Sequence, residues 1–229
     1  MATQKKKKTD TTQDHAIPIL ITRPNIHLVR IPIRGTSPYV QNAWSQKARE
    51  QLRKKQGEGA KAKNVKVREP KDFQAIYEAA KHISTEGWCG IPSAAFRAAL
   101  ISACRLTPMK MTQTKLTVFV VQDGWDAVDP SVGLTKITKG EPEYFEAMVR
   151  MQQTIDIRCR PLWRPGWEAT VAIRWDADQY GVDDVHNLLM RVGNQVGIGE
   201  GRPDSKQSTG MGWGLFEISG MAEVIEEAA

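Results

Sequence analysis

The stretch that decides the fold is VGIGEGRPDSKQSTGMGWGLFEI, residues 196–218. It has six glycines in 23 residues, and it ends in an apolar segment, LFEI, that is typical of a strand. Its context differs from that of a phosphate-binding glycine motif, which opens a helix, because this stretch leads into a strand. We therefore expect a surface at which bare backbone, assisted by Arg202 and Lys206, approaches a large partner such as a nucleic acid or a neighbouring subunit.

Strand and helix patterns alternate before this stretch. Apolar and polar residues alternate, or β-branched residues cluster, in four segments: 26–35, 114–122, 154–163 and 167–175. Apolar residues recur at helical spacing in three others, 72–84, 92–105 and 181–197, and a short helix is expected over 44–55. We expect the strands on either side of the turn at 164–166 to pair as a hairpin. The order predicts an α+β fold, a ferredoxin-like or RRM-like antiparallel sheet with helices on one face and long inserted loops.

The helix over 92–105 has the most distinctive beginning. Pro92 suits a first helical turn, where its missing N–H costs no hydrogen bond. Ser93 is expected to accept from one of the free N–H groups at the start of the helix.

Charge is distributed unevenly along the chain. The net charge is +6, but residues 1–71 contain 17 Lys and Arg against 5 Asp and Glu, whereas 72–229 contain 15 against 21. Such a basic part indicates contact with nucleic-acid phosphates, and the alternative is a solubilising tail with a solvated loop. The segment 44–71 is the densest region, and its predicted phosphate contacts are Arg53, Lys54, Lys55, Lys61 and Lys63.

These shifts in composition predict three regions. Residues 1–25 are expected to be a disordered basic tail and lead-in, and residues 221–229 an acidic C-terminal tail. The core spans 26–220, with a basic loop inserted at 44–71.

Signs of catalytic or cofactor chemistry are scarce. The four histidines are scattered, and the three cysteines lack metal-ligand spacing, as expected of reduced thiols in a cytosol. We expect no cofactor, no metal and no membrane span, and a cytoplasmic protein. Aromatic residues stack on bases, and Trp163, beside Arg160, Arg164 and the 164–166 turn, is the predicted stacking platform.

Two motifs resemble the RAMP superfamily, the RRM-like backbone subunits of CRISPR effector complexes. GIPSAAFRAAL (90–100) is similar to the helix start of that family, and 196–218 is similar to its C-terminal glycine-rich loop. The resemblance spans about 26–218 and points to a short phage-type or prophage-type relative. It implies that Ser93 and Arg97 approach a nucleic-acid backbone, that 123–165 supplies a thumb, and that subunits polymerise.

The function that we predict is an oligomerising protein, a filament or ring, that binds single-stranded RNA or DNA in CRISPR-like defence or in phage recombination or replication. It is predicted not to be an enzyme. One alternative is a metal-independent endoribonuclease of the same superfamily, with His27 or Tyr39 as candidates, although 36–71 lacks the Asp that some relatives use. The other is a structural protein of a phage particle whose basic arm neutralises packaged nucleic acid.

Overall fold

The computed structural model describes residues 21–57, 70–151, 154–205 and 210–226. In this part of the chain the strands are β1 (Ile26–Gly35), β2 (Tyr39–Val40), β3 (Gly90–Pro92), β4 (Val118–Val121), β5 (Gly124–Trp125), β6 (Gly133–Lys139), β7 (Glu143–Met151), β8 (Thr154–Trp163), β9 (Glu168–Asp176), β10 (Phe216–Ile218) and β11 (Glu223–Glu226). The helices are α1 (Gln46–Gly57), α2 (Phe73–Ala79), α3 (Ser93–Ala103), α4 (Met111–Thr117) and α5 (Val182–Arg191).

The main sheet is antiparallel and is built around β1. One edge of β1 pairs with β9, and the other pairs with β10 and β11 in succession. The far edge of β9 pairs with β4 and, nearer its beginning, with β6. With α3 and α5 as the connecting helices, the order β10/β11–β1–β9–β4 is that of a ferredoxin-like sheet, which confirms the predicted α+β fold.

The core lies between one face of this sheet and the helices α3 and α5. Alternate residues of the strands point inward, and with them the apolar faces of the two helices are buried: Val29, Ile31, Ile33, Val118, Val171, Ile173, Trp175, Phe96, Leu100, Val185, Leu188 and Leu189. The phenyl rings of Phe96 and Phe216 meet edge to face, 6.0 Å apart.

A second, smaller sheet has the order β2–β8–β7. The expected hairpin between β8 and β9 is wrong, because β8 pairs with β7 over nine residue pairs while β9 pairs with β1. Trp163 and Trp167 flank the turn between β8 and β9 and are both fully buried, packed on the Tyr39 ring at 5.4 and 5.6 Å. This aromatic cluster joins the two sheets, so that the chain passes from one to the other at the turn.

The strand predicted over 114–122 is also wrong in its first half. Residues up to Thr117 belong to α4, and only Val118–Val121 form a strand. The side chain of Thr114 is buried and its hydroxyl bonds to Tyr180 at 3.2 Å, while the Thr117 hydroxyl donates to the Gln113 carbonyl oxygen. These contacts accompany a helical turn at two threonines, a residue type whose intrinsic preference is for a strand.

The two ends of the chain differ in what the structure describes. Most of the predicted N-terminal tail, residues 1–20, lies outside the described residues. In the segment predicted as an acidic tail, Glu223–Glu226 form β11 and pair with β1. No helix in the described ranges is both long enough and apolar enough to cross a bilayer.

Candidate nucleic-acid interface

A groove separates α3 from the glycine-rich stretch. Its volume is about 730 Å³. Small residues on one face of α3 form one wall, namely Ala95, Ala98, Ala99 and Ser102. Residues 196–204 form the opposite wall, and Gln41, Asn42 and His82 close one end. The small side chains of α3 make this wall of the groove largely apolar. Most of the polar lining residues are on the other wall and at the end closed by Gln41, Asn42 and His82.

Asp204 ties the glycine-rich stretch to α3. Its carboxylate accepts hydrogen bonds from the Ser102 hydroxyl and the Arg105 guanidinium. Partial burial raises the pKa of Asp204, but the bonds from Ser102 and Arg105 outweigh it and leave this pKa below its usual value. The ionised carboxylate therefore holds the two walls of the groove together.

Glu200 ties the same stretch to the second sheet. Arg160 Nε donates to Glu200 Oε2 at 2.7 Å, and its Nη1 donates to the Cys159 carbonyl oxygen at 2.9 Å. Arg202 Nη1 donates to the carbonyl oxygen of Gly199 at 2.9 Å. Arg160 and Arg202, predicted as phosphate contacts, thus both have partners within the protein. Arg160 is buried, and its charge is matched by Glu200 rather than open to a ligand.

The glycines serve mainly to fold the stretch itself. All six adopt positive φ. A Cβ on Gly214 would lie 1.8 Å from the Ile198 carbonyl oxygen, so the backbone itself fills that space. At Gly212, by contrast, a Cβ would meet nothing within 4 Å. The expectation of bare backbone left open for a large partner therefore fits Gly212 and not Gly214.

Two residues carried over from the family motif do not face the groove. Ser93 is buried and its hydroxyl bonds to that of Thr135 at 3.0 Å, and it makes no capping bond to α3. The expected cap is therefore wrong, because the Ser93 hydroxyl bonds to Thr135 on β6 instead of to the backbone of α3. Arg97 points to the opposite side of α3, where its Nη2 donates to the Lys115 carbonyl oxygen at 2.6 Å.

The remaining predicted residues fall into three groups. Trp163 is fully buried and cannot stack on a base, which corrects the predicted platform. Arg164 is exposed but is paired with Glu143 at 2.8 Å. Lys61, Lys63 and Lys206 lie outside the described residues.

The basic segment forms a helix where it is described. Arg53, Lys54 and Lys55 belong to α1, and the side chains of Arg53 and Lys54 are exposed. Arg49 anchors this helix through an ion pair to Asp129 at 2.5 Å. Between α1 and the groove residue Asn42 lies Trp44, which is 61% exposed. An exposed indole between a groove and a cationic helix suits base stacking followed by phosphate contact.

Sequence reasoning missed His82, Arg105 and the role of Trp44. His82 Nδ1 lies 2.7 Å from the Asp126 carboxylate. The two residues are 44 positions apart, so no local sequence pattern predicts the pair. The exposure of Trp44 has no clear sequence signal either, since the chain has seven tryptophans and the local sequence around them does not separate buried from exposed ones.

The proposed nuclease residues lie in unsuitable surroundings. Tyr39 is buried with its hydroxyl 3.0 Å from the Gln41 amide, and burial raises the pKa of Tyr39 far above its usual value. His27 lies on β1, against the Trp175 ring and the Asn25 side chain, and it does not line the groove.

Comparison with known proteins supports the fold. No protein-family model and no curated protein sequence matches the chain. A solved structure does match, a chain from the cryo-EM structure of the Type III-B Cmr-beta complex bound to cognate target RNA, with a TM-score of 0.53 and 9% sequence identity. The match covers 88% of this chain and 61% of that chain. At this level of identity the likeness shows a shared fold, and the chain spans about three fifths of the neighbour's length.

Proposed function

We propose that this protein binds single-stranded nucleic acid along a path from the groove, past Trp44, to the exposed face of α1. The observation that carries the proposal is Trp44, an indole 61% exposed between a groove with both apolar and polar lining residues and a helix rich in Arg and Lys. Stacking on the indole would hold a base, and the cations would hold the phosphates on either side of it. RNA is the first ligand to test, since the similar structure is of an assembly bound to target RNA.

Charge supports the same path. α1 contains five Lys and Arg and one acidic residue, Glu50. Arg53 and Lys54 lie at the exposed end of this helix, beyond the ion pair that anchors Arg49. In the groove itself the cations Arg105 and Arg202 lie beside Asp204 and Glu200. The proposal therefore assigns most of the electrostatic affinity to α1 and most of the steric selection for a single strand to the groove.

The hairpin formed by β7 and β8 is the proposed thumb. It displays the exposed side chains of Tyr144, Met148 and Ile157. In an assembly of identical subunits, apolar side chains of this kind would separate neighbouring bases of a bound strand. Assembly into a filament or ring, and a role in CRISPR-like defence or phage nucleic-acid metabolism, belong to the same proposal.

Fluorescence anisotropy with labelled single-stranded RNA and DNA tests the proposal. For the double variant Arg53→Gln/Lys54→Gln we expect weaker binding. The slope of log Kd against log salt should fall by about 1.4, since each lost phosphate contact removes about 0.7 for a single strand.

Lys139→Gln is the matched control. Lys139 is as exposed as a typical surface cation, at 63%, but it is paired with Glu168 at 3.0 Å and lies on β6. Its substitution should leave the salt slope unchanged. Wild-type protein that binds neither RNA nor DNA at low salt would overturn the proposal.

A further inference from the structure

The strand β4 carries an aromatic ring that lies close to two arginines. The Cζ atom of Arg97 lies 4.9 Å from the centroid of the Phe119 ring, and that of Arg174 lies 5.7 Å from it. Phe119 is 36% exposed, and Arg174 is exposed. The ring and the two guanidinium groups form a partly exposed group, which we call the Phe119 cluster.

The Phe119 cluster is separate from the groove. Helix residues are about 100° apart around the axis, so that Arg97 points away from the face of α3 that carries Ala98 and Ser102. Its guanidinium is held by the carbonyl oxygens of Lys115 and Val118, at 2.6 and 3.4 Å. Arg174 reaches the ring from β9, where it lies directly opposite Phe119 across the strand pair.

Phe119 and Arg174 lie on the sheet face that is not covered by α3 and α5, and Arg97 of α3 reaches the ring at the edge strand β4. Val29 and Ile31 point into the core, so Leu28 and its cross-strand neighbours point to the opposite face. The register places four residues in one row across four strands: Ile225, Leu28, Arg174 and Phe119. The row combines three apolar side chains with one cation, Arg174 on β9.

Charge distinguishes this row from the rest of the same face. Along β1, Arg30 lies 3.8 Å from Asp123, and Arg34 has Glu168 and Glu217 as its cross-strand neighbours. In the described part of the chain, neither Arg97 nor Arg174 is paired with a carboxylate. The Arg174 charge is therefore open to an anion from outside, whereas the Arg97 guanidinium already donates to two carbonyl oxygens.

We infer that the Phe119 cluster is a second contact site for single-stranded nucleic acid, which binds one unpaired base by stacking and the adjacent phosphate through Arg174. Unpaired bases stack on aromatic rings and on arginine planes alike, and a four-stranded sheet with exposed aromatic residues is a common platform for them. This inference rests on the proposed function and adds a site on the opposite side of α3 from the groove.

Crosslinking and affinity measurements test the inference. A single-stranded oligouridylate of about 16 nucleotides, with 5-iodouridine at each position in turn, is irradiated with the protein, and the crosslinked peptides are identified by mass spectrometry. We expect a crosslink to the peptide that contains Phe119. Phe119→Leu should raise Kd about five-fold or more, the effect of losing one stacked base, and Phe119→Trp should restore it.

Arg174→Gln and Arg34→Gln form a matched pair on the same face. The first should lower the salt slope by about 0.7, and the second should leave it unchanged. Wild-type affinity in both Phe119→Leu and Arg174→Gln, with binding lost in the α1 double variant, would overturn this site alone. A change in oligomer size without a change in affinity would also overturn it, because it would assign the cluster to a subunit contact. Absence of binding by the wild type would overturn the proposed function together with this site.

Discussion

Arg160 and Glu200 connect the second sheet to the glycine-rich stretch, with Nε and Oε2 2.7 Å apart. The arginine side chain is 10% exposed and that of the glutamate 36%, so the pair lies at the boundary between core and groove. Its geometry holds residues 199–201 against β8. Arg160 therefore positions the wall of the groove formed by residues 196–204. The sequence alone predicts this arginine as a contact for nucleic acid.

Glu200→Gln should lower the free energy of unfolding by about 1–2 kcal/mol, because it leaves the nearly buried Arg160 charge with a weaker partner. Denaturant unfolding measures the loss, and a double-mutant cycle with Arg160→Gln isolates the pair. Glu143→Gln is the control, since it breaks the exposed pair with Arg164 and should cost less than about 0.5 kcal/mol. Equal losses in the two glutamate variants would contradict the prediction.

Gly214→Ala should destabilise the protein by more than about 2 kcal/mol, since the new Cβ would lie 1.8 Å from the Ile198 carbonyl oxygen at a φ of 70°. Gly212→Ala has the same backbone strain, at a φ of 71°, but open space, and should cost only about 1 kcal/mol. Thermal unfolding compares the two.

Gly212→Val then separates the two candidate partners of this exposed backbone. Reduced affinity for single-stranded RNA at unchanged oligomer size would assign Gly212 to nucleic acid. The opposite result, in sedimentation measurements at matched concentration, would assign it to a neighbouring subunit. A variant with wild-type affinity and wild-type size would show that neither partner contacts this residue.

Trp44→Leu and Trp163→Leu should have opposite effects. Trp44 is 61% exposed, so its substitution should leave stability within about 0.5 kcal/mol of the wild type and weaken RNA binding about five-fold or more. Trp163 is fully buried, so its substitution should destabilise the fold by about 2 kcal/mol or more and leave the affinity of the folded fraction unchanged. Denaturant unfolding and anisotropy on the same preparations distinguish the two outcomes.

Asp129 should make the anchoring of α1 sensitive to acid. Hydrogen bonds from Ser131 and Arg49 lower the pKa of Asp129 to about 2, from the usual value of 3.8 for an aspartate. Because the pKa is lower in the folded protein, the stabilisation is present above pH 3.8 and is lost as the pH falls toward 2. The difference in unfolding free energy between wild type and Asp129→Asn should therefore shrink as the pH falls from about 5 to about 2. This window spans the usual pKa of an aspartate and the lowered pKa of Asp129 in the folded protein. A difference that does not change with pH would contradict this assignment.

Local patterns were sufficient to predict most elements of the fold. β1 begins and ends where the alternation of residues 26–35 predicts, and α3 and α5 follow the apolar stripes in their segments. The wrong predictions concern segments whose structure depends on contacts with residues far away in the sequence. Thr114 is helical because Tyr180 and Cys104 contact it, and β8 leaves its expected partner because Trp163 and Trp167 pack on Tyr39.

The candidate interface was predicted less well for the same reason. The identity of an arginine does not tell whether a carboxylate lies beside it, and Arg160 and Glu200 are 40 residues apart. Trp163 and Trp44 are equally aromatic in the sequence, but one joins two sheets and the other is exposed.

By itself, the sequence determined where β1, β8, β9, α3 and α5 form, the basic character of the segment that contains α1, and the glycines that permit left-handed turns. These follow from residues close to one another in the chain, through side-chain periodicity, net charge and the steric freedom of glycine. Only the tertiary structure decided which strands pair, which charges are neutralised and which aromatic rings are exposed. Those depend on contacts between residues tens of positions apart, where burial and charge pairing outweigh local preference.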